Sequence, residues 1–216
     1  MHYFELQSTF MKEKEIYTEL SSIRDLMERS AKFISLSGLS GIMAGIYALV
    51  GAALGYYLVY GPYGGLQYRN YYISEQEILW KLFLIAIVVL ILSLSTGLVL
   101  TIRKAKKKNQ NVWNPSSKKL LTSVAIPLIT GGVFILILLL RGYYGVVAPA
   151  SLIFYGLALV AGSNYTYTDV KWLGILEIIL GLFATLLPGY GIVFWTIGFG
   201  VLHIVYGSIM HFKYDR

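Results

Sequence analysis

Long apolar stretches alternate with short polar ones along most of this chain. Six stretches are strongly apolar, at residues 33–60, 78–102, 120–140, 146–161, 172–187 and 192–210. A helix needs roughly 17–25 apolar residues to cross a hydrocarbon core about 30 Å thick. The first three stretches and the last meet that requirement. The pattern therefore predicts an all-α fold class, a polytopic membrane protein with a six-helix transmembrane bundle over residues 33–210.

Two of the six stretches are short. Residues 146–161 and 172–187 would each form a helix of roughly 24 Å at 1.5 Å per residue. Flanking aromatic residues at the level of the lipid headgroups, such as Tyr144, Tyr165 and Tyr190, would extend these crossings. The alternative is a re-entrant pair that enters and leaves the membrane on one side.

Residues 1–32 form the one soluble element that the pattern predicts. Within residues 16–27, apolar side chains recur at spacings of four, three and four, as on one narrow face of a helix. The segment has a net charge of about −1, whereas a helix that binds anionic lipid would be basic, so a contact with protein is favoured. We expect a cytoplasmic amphipathic helix that contacts a partner protein, pairs with a second copy of the chain to make a homo-oligomer, or docks under the bundle. The alternative is a short helix that merely leads into the first crossing.

The net charge of +7 lies in one short stretch between the second and third apolar runs. That stretch contains no acid, and its basic residues are Arg103, Lys104, Lys106, Lys107, Lys108, Lys118 and Lys119. Since basic residues in short loops favour the cytoplasmic side, the loop predicts cytoplasmic N- and C-termini, with residues 211–216 as a cytoplasmic tail. The loop sets topology or binds acidic lipid headgroups. Nucleic-acid binding is not expected, because Trp113 alone offers no stacking platform.

Composition narrows the chemistry further. The chain is 56% hydrophobic and 13% charged, with a mean hydropathy of +0.65, and it contains no cysteine. Disulfides, thiol nucleophiles and iron–sulfur ligation are therefore excluded. No serine-hydrolase, zinc-protease or phosphate-binding motif is present. We expect no enzymatic activity, no metal site and no cofactor.

Small residues mark the faces on which helices are expected to pack. The first crossing contains two GxxxG pairs, Gly41–Gly45 and Gly51–Gly55. Where lipid removes the hydrophobic driving force, such faces let helix backbones approach closely. These faces mainly predict packing between helices of the same chain, and dimerisation is the lesser alternative.

The last two crossings should form an antiparallel hairpin around Pro188 and Tyr190. Residues equally distant from that turn are expected to lie at the same depth. The resulting pairs are Gly174 with Gly207, Glu177 with His203, Gly181 with Gly200 and Ala184 with Thr196. The register predicts a close glycine-to-glycine contact and a direct hydrogen bond or ion pair between the acid and the imidazole.

An ionisable pair within a membrane has two main interpretations. Glu177 and His203 form a polar clamp that fixes helix register, or they support a proton-linked function. Metal binding is not favoured, since His211 lies eight residues beyond His203 at the membrane edge.

The segments Leu173-Gly-Ile-Leu-Glu-Ile-Ile-Leu-Gly181, Pro188-Gly-Tyr-Gly191 and Gly200-Val-Leu-His-Ile-Val-Tyr-Gly207 resemble the hairpins of the HdeD-type acid-resistance membrane proteins. The likeness covers about 40 residues and consists of glycine spacing. It implies a six-helix protein of a bacterial inner membrane with a non-enzymatic role in stress tolerance. The charged N-terminal segment and the basic loop depart from that pattern.

The sequence thus predicts a multi-pass inner-membrane protein with a structural, assembly or stress-tolerance role. The alternative is a proton-linked small-solute transporter or channel built around Glu177 and His203. A water-filled cavity that reaches Glu177 would favour transport, and a sealed contact would favour the structural role.

Overall fold

The computed structural model describes residues 37–60, 76–107 and 111–215, which are helical with short turns and contain no strand. The helices are α1 (Gly38–Tyr60), α2 (Gln76–Lys107), α3 (Pro115–Leu140), α4 (Val147–Gly162), α5 (Asp169–Leu186) and α6 (Gly191–Asp215). The predicted N-terminal helix, with its contact segment 16–27, lies outside the described residues, as does Lys108.

Five of these helices are long and apolar enough to cross a membrane: α1, α2, α3, α4 with its flanking turns (Tyr144–Tyr165), and α6. Helix α5 is not among them, because its 18 residues include three charged ones, Asp169, Lys171 and Glu177. At 1.5 Å per residue α5 is about 27 Å long, close to the thickness of a hydrocarbon core.

A helix lies over each predicted apolar stretch, but three helix ends extend five residues beyond it. Helix α2 continues to Lys107, so Lys104, Lys106 and Lys107 lie in its last turn and Arg103 lies just before it. Cations there interact favourably with the negative end of the helix dipole. Helix α3 begins at Pro115, where Asn114 and Ser117 exchange side-chain-to-backbone hydrogen bonds of 2.8 and 2.9 Å in a capping box. The predicted tail 211–216 is helical as far as Asp215.

The helices pack in a row of neighbours. Helix α1 lies between α2 and α6, α6 also contacts α4 and α5, and α4 lies against both α5 and α3. Four chain segments meet at one end of this bundle, called here the basic end: the start of α1, the end of α2, the α4–α5 turn and the end of α6.

The opposite end holds the tight turn that joins α5 to α6. Gly189 follows Pro188 there and adopts a φ of +91°, which residues with a Cβ rarely adopt. The turn brings the first residue of α6, Gly191, beside Ala148 and Pro149 at the start of α4. Helix α5 therefore runs from one end of the bundle to the other.

Candidate functional site: a buried Glu–His–Tyr cluster

Three polar side chains from three helices meet inside the bundle. Glu177 of α5 is fully buried, and His203 of α6 is 6% exposed. The Nδ1 atom of His203 lies 3.4 Å from Oε1 of Glu177. Tyr155 of α4 completes the cluster from the other side of the imidazole. The structure thus brings Glu177 and His203 together, at the depth that counting from the α5–α6 turn predicts.

The hydrogen bonds of the imidazole indicate its tautomer. Nδ1 lies 3.0 Å from the carbonyl oxygen of Gly198, and since a carbonyl oxygen only accepts, Nδ1 carries the proton and donates it. In a neutral imidazole Nε2 then accepts, and the Tyr155 hydroxyl donates to it over 2.8 Å. Both ring nitrogens are therefore engaged, one by α6 itself and one by α4.

A widened stretch of α6 accommodates the acid. Residues Thr196–Leu202 form a π-helical segment that ends next to His203, and such segments often occur at functional positions. Gly198 lies within it, and a Cβ at this position would overlap Oε2 of Glu177 and approach Leu152 Cδ2 to 2.6 Å. The absence of a side chain at residue 198 therefore leaves the space that the Glu177 carboxyl fills.

The carboxyl group of Glu177 has an unusual environment. Among the described residues, neither of its oxygens has a hydrogen-bond partner, and the Nδ1 atom of His203 is the nearest cationic candidate. A buried polar group without a partner costs roughly 1–3 kcal/mol, and more if it is charged. Such a group requires an explanation beyond packing.

Aromatic rings surround the imidazole. The ring of Phe199 lies 5.9 Å from that of His203 and 5.0 Å from those of Tyr155 and Trp195, measured between centroids. Tyr155 was not predicted as a member of the site. The signal that could have identified it is its position in the middle of the apolar stretch 146–161, since tyrosines of a membrane belt lie at the interfaces.

The predicted glycine-to-glycine contact between α5 and α6 is wrong. A Cβ at Gly174 would lie 2.7 Å from the carbonyl oxygen of Gly156, and one at Gly181 would lie 2.9 Å from that of Pro149, both on α4. The glycines of α6 face α1 instead: a Cβ at Gly200 would meet Leu49, and one at Gly207 would lie 2.5 Å from the backbone nitrogen of Ile42.

The glycines of α1 serve two neighbours. Gly41 and Gly45 face α6, where their nearest backbone neighbours are Gly207 and Gly200. Gly51 faces Val89 of α2, and Gly55 faces both α2 and α6. All eight glycines predicted for helix packing thus lie against another helix. The glycines of α5 contact α4 and those of α6 contact α1, whereas the prediction paired α5 with α6.

A second polar cluster, centred on Asp215, lies at the basic end. Oδ1 of Asp215 forms an ion pair with Nζ of Lys104 at 2.5 Å, and the two side chains are 9% and 10% exposed. Oδ2 accepts hydrogen bonds from the backbone N–H of Gly38 at 2.9 Å and from the Ser37 hydroxyl at 3.2 Å. The carboxylate therefore caps α1, where it interacts favourably with the helix dipole.

The α4–α5 turn joins the same cluster. Tyr167 lies under the Lys104 ammonium group and stacks on Tyr214 with a centroid distance of 4.0 Å. The Tyr214 hydroxyl donates to Asp169 over 2.6 Å, and Lys213 is 3.0 Å from the same carboxylate. Burial, and secondarily the charge of Asp215, raise the pKa of the Tyr167 phenol to about 12.

This second cluster changes one assignment made from the sequence. Lys104 was predicted to serve topology or lipid headgroups, but it lies inside the protein against Asp215. Nδ1 of His211 also lies 3.2 Å from Asp215 Oδ2, an i,i+4 contact along the end of α6. The other described basic residues of the stretch are exposed: Arg103, Lys106, Lys107, Lys118 and Lys119.

An open apolar groove of about 310 Å³ lies between α1 and α6. Its lining residues are Leu49, Ala52, Ala53, Tyr56, Ile192, Val193, Thr196 and Ile197, which do not include Glu177 or His203. Within the described part of the chain, no three His, Cys, Asp or Glu side chains are grouped so that they could hold a metal ion.

Comparison with protein-family models, with curated proteins and with solved structures found no match. The resemblance of the C-terminal hairpin to the HdeD-type proteins therefore stays a prediction.

Proposed function

We propose that this protein crosses the membrane six times, with both termini and the basic stretch in the cytoplasm of a bacterial cell. Support for α5 as the sixth crossing comes from its length and from its course between the two ends of the bundle. Its charged first turn is neutralised there, since Lys213 pairs with Asp169. The exposed basic residues at the same end support a cytoplasmic orientation by the positive-inside rule.

Single cysteines test this topology, because the chain has none of its own. Asn164→Cys lies in the exposed α4–α5 turn, and Tyr190→Cys lies in the α5–α6 turn. We expect a membrane-impermeant thiol reagent to label the first only from the cytoplasmic side and the second only from the other side. Labelling of both from one side, or a buried and unreactive Asn164→Cys, would instead indicate a re-entrant pair.

We propose further that the protein acts without enzymatic activity, as a structural or assembly component of the membrane. The observation that supports this role is the sealed position of Glu177, whose side chain has no exposed surface and lies against Leu152, Gly198 and His203. In this role the cluster holds α4, α5 and α6 in register, as buried polar contacts do in other helix assemblies.

Proteoliposomes that contain a pH-sensitive dye test the structural role. With an imposed proton gradient and potassium-valinomycin to balance charge, we expect the wild-type protein and Glu177→Gln to pass protons equally slowly, at the rate of empty liposomes. A proton flux that depends on Glu177 would contradict the structural role.

That result would support a second candidate function, a proton-linked transporter or channel. One observation favours it: neither oxygen of Glu177 has a hydrogen-bond donor among the described residues. Buried polar groups in proteins are mostly hydrogen-bonded, and an ionisable residue within a membrane helix is a candidate for proton relay or transport. The same flux measurement separates the two candidates.

A further inference from the structure

Glu177 lies at the closed end of a row of three polar side chains. Exposure rises along the row, from none at Glu177 to 6% at His203, and Tyr155 is partly exposed. The links are the 3.4 Å between Oε1 of Glu177 and Nδ1 of His203 and the 2.8 Å between Nε2 and the Tyr155 hydroxyl. The second contact is a hydrogen bond, and a small shift of the Glu177 or His203 side chain would make the first contact one as well. A proton can pass along hydrogen bonds of this kind.

The charge of this row determines what it can bind. On an insertion scale, a lone carboxylate at the centre of a membrane helix costs some 2.5–3.5 kcal/mol. The titratable groups that face Glu177 are His203 from α6 and Tyr155 from α4, and among the described residues only His203 can form an ion pair with it. One additional proton makes the three side chains together electrically neutral.

A metal cation does not suit this space. Hard cations take about six or more oxygen ligands, whereas the described residues bring together the Glu177 carboxyl, the Gly198 carbonyl and the Tyr155 hydroxyl. Oε2 of Glu177 already fills the space above Gly198. A proton needs no such room.

We propose that Tyr155, His203 and Glu177 form a proton-binding site, which holds one proton between Glu177 and His203 and exchanges it through the Tyr155 hydroxyl. In one arrangement Glu177 is a carboxylic acid and His203 is neutral. In the other, Glu177 is a carboxylate, and the imidazolium donates Nδ1–H toward it and Nε2–H to the Tyr155 oxygen. A hydroxyl both donates and accepts, so Tyr155 fits both arrangements without moving its ring.

When the site takes up a proton, only O–H and N–H bonds break and form. Nε2 takes the phenolic proton of Tyr155, while Nδ1 keeps the proton that it donates to the Gly198 carbonyl, so His203 becomes an imidazolium beside the Glu177 carboxylate. A hydronium ion that reaches the Tyr155 hydroxyl then reprotonates the Tyr155 oxygen and leaves as water. Release is the reverse of these steps, so the site gains or loses one proton and no other reactant is needed.

Infrared difference spectroscopy of the reconstituted full chain tests the site. If the proton is on Glu177, we expect a carbonyl-stretching band of a carboxylic acid that shifts between H₂O and D₂O and disappears in Glu177→Gln. If the proton is on His203, we expect the ¹⁵N NMR signals of an imidazolium. A carboxylate band together with a neutral imidazole would overturn the proposal, since the site would then carry a net charge.

The entry route has its own variant and control. We expect Tyr155→Phe to slow deuteration of the site by about tenfold or more, which corresponds to about 1.4 kcal/mol in the barrier. Tyr47→Phe is the matched control, because the Tyr47 hydroxyl also joins two helices, at 3.2 Å from Thr96, but lies outside this site. Equal exchange rates in Tyr155→Phe and in the wild-type protein would overturn the route.

The proton site is independent of both proposed functions. A sealed structural protein and a transporter would both show an exchangeable proton at Glu177, and only the transporter would show a flux. Failure of the flux assay therefore leaves this inference standing, and failure of the infrared test leaves the structural role standing.

Discussion

Oε2 of Glu177 lies so close to Gly198 that a Cβ at residue 198 would overlap it, and the carboxyl group fills space that a side chain there would need. Gly198→Ala would force the carboxyl group and Leu152 to move, although both side chains are fully buried. We expect this substitution to lower the free energy of unfolding by about 1–3 kcal/mol, as overpacking does.

The control for Gly198→Ala is Gly132→Ala on α3, where an added Cβ would meet no atom within 4 Å. We expect this change to be neutral or to stabilise the helix by up to roughly 1 kcal/mol. Unfolding in mixed detergent micelles measures both variants. Equal stability of Gly198→Ala and the wild-type protein would show that the carboxyl group does not fill this space.

Glycine substitutions separate the packing observed from the packing predicted. Gly45→Ala and Gly200→Ala both act on the contact between α1 and α6, and we expect their effects on stability to be coupled by about 0.5–3 kcal/mol. Gly174→Ala and Gly207→Ala act on different helix pairs, α4–α5 and α1–α6. We therefore expect the second pair of substitutions to be additive.

A double-mutant cycle on each pair, with unfolding as the readout, measures these couplings. If residues 174 and 207 were coupled and residues 45 and 200 were additive, the results would support the predicted contact between α5 and α6 and contradict the observed contact between α1 and α6.

Sequence periodicity predicts the helices and the depth of each residue, but it does not determine which face meets which neighbour. Counting from the turn at Tyr190 places Glu177 and His203 at the same depth, and their long side chains bridge the distance between α5 and α6. Glycine pairing needs direct backbone contact. Small-residue faces of similar spacing occur on α1, α4, α5 and α6, so the spacing alone fits several partners.

The cluster at Asp215 could not be derived from the sequence for a related reason. The contact between Asp215 and Gly38 joins residues 177 positions apart, and no periodic pattern links them. Lys104 is one of several lysines in a basic stretch, and only the course of α2 past α6 distinguishes it from its exposed neighbours.

Loss of the ion pair between Lys104 and Asp215 should destabilise the bundle. Lys104→Met leaves the Asp215 carboxylate without its cation, and we expect a loss of about 1–3 kcal/mol in the free energy of unfolding. Lys81→Met is the matched control, since the pair of Lys81 with Glu77 is exposed (50% and 79%) and should contribute less than about 1 kcal/mol. Equal effects of the two variants would contradict a structural role for Lys104.

The raised pKa of Tyr167 predicts a loss of stability in alkali. The pKa rises from 10.0 to about 12 on folding, so the contribution of the neutral phenol is complete below pH 10 and is lost as the pH rises toward 12. We expect Tyr167→Phe to show a smaller decline of the unfolding midpoint over this range than the wild-type protein. Tyr143→Phe, whose ring is 60% exposed at the opposite end, serves as the control. The same decline in wild type and Tyr167→Phe would refute the shift.

The most direct test of the account is whether Glu177 and His203 act as a unit. Glu177→Gln, His203→Phe and the double variant form a double-mutant cycle of unfolding free energies in native lipid. Since Nδ1 and Oε1 lie 3.4 Å apart, we expect a coupling of at least about 1 kcal/mol. Additivity within roughly 0.5 kcal/mol would contradict a direct interaction between the acid and the imidazole in the membrane.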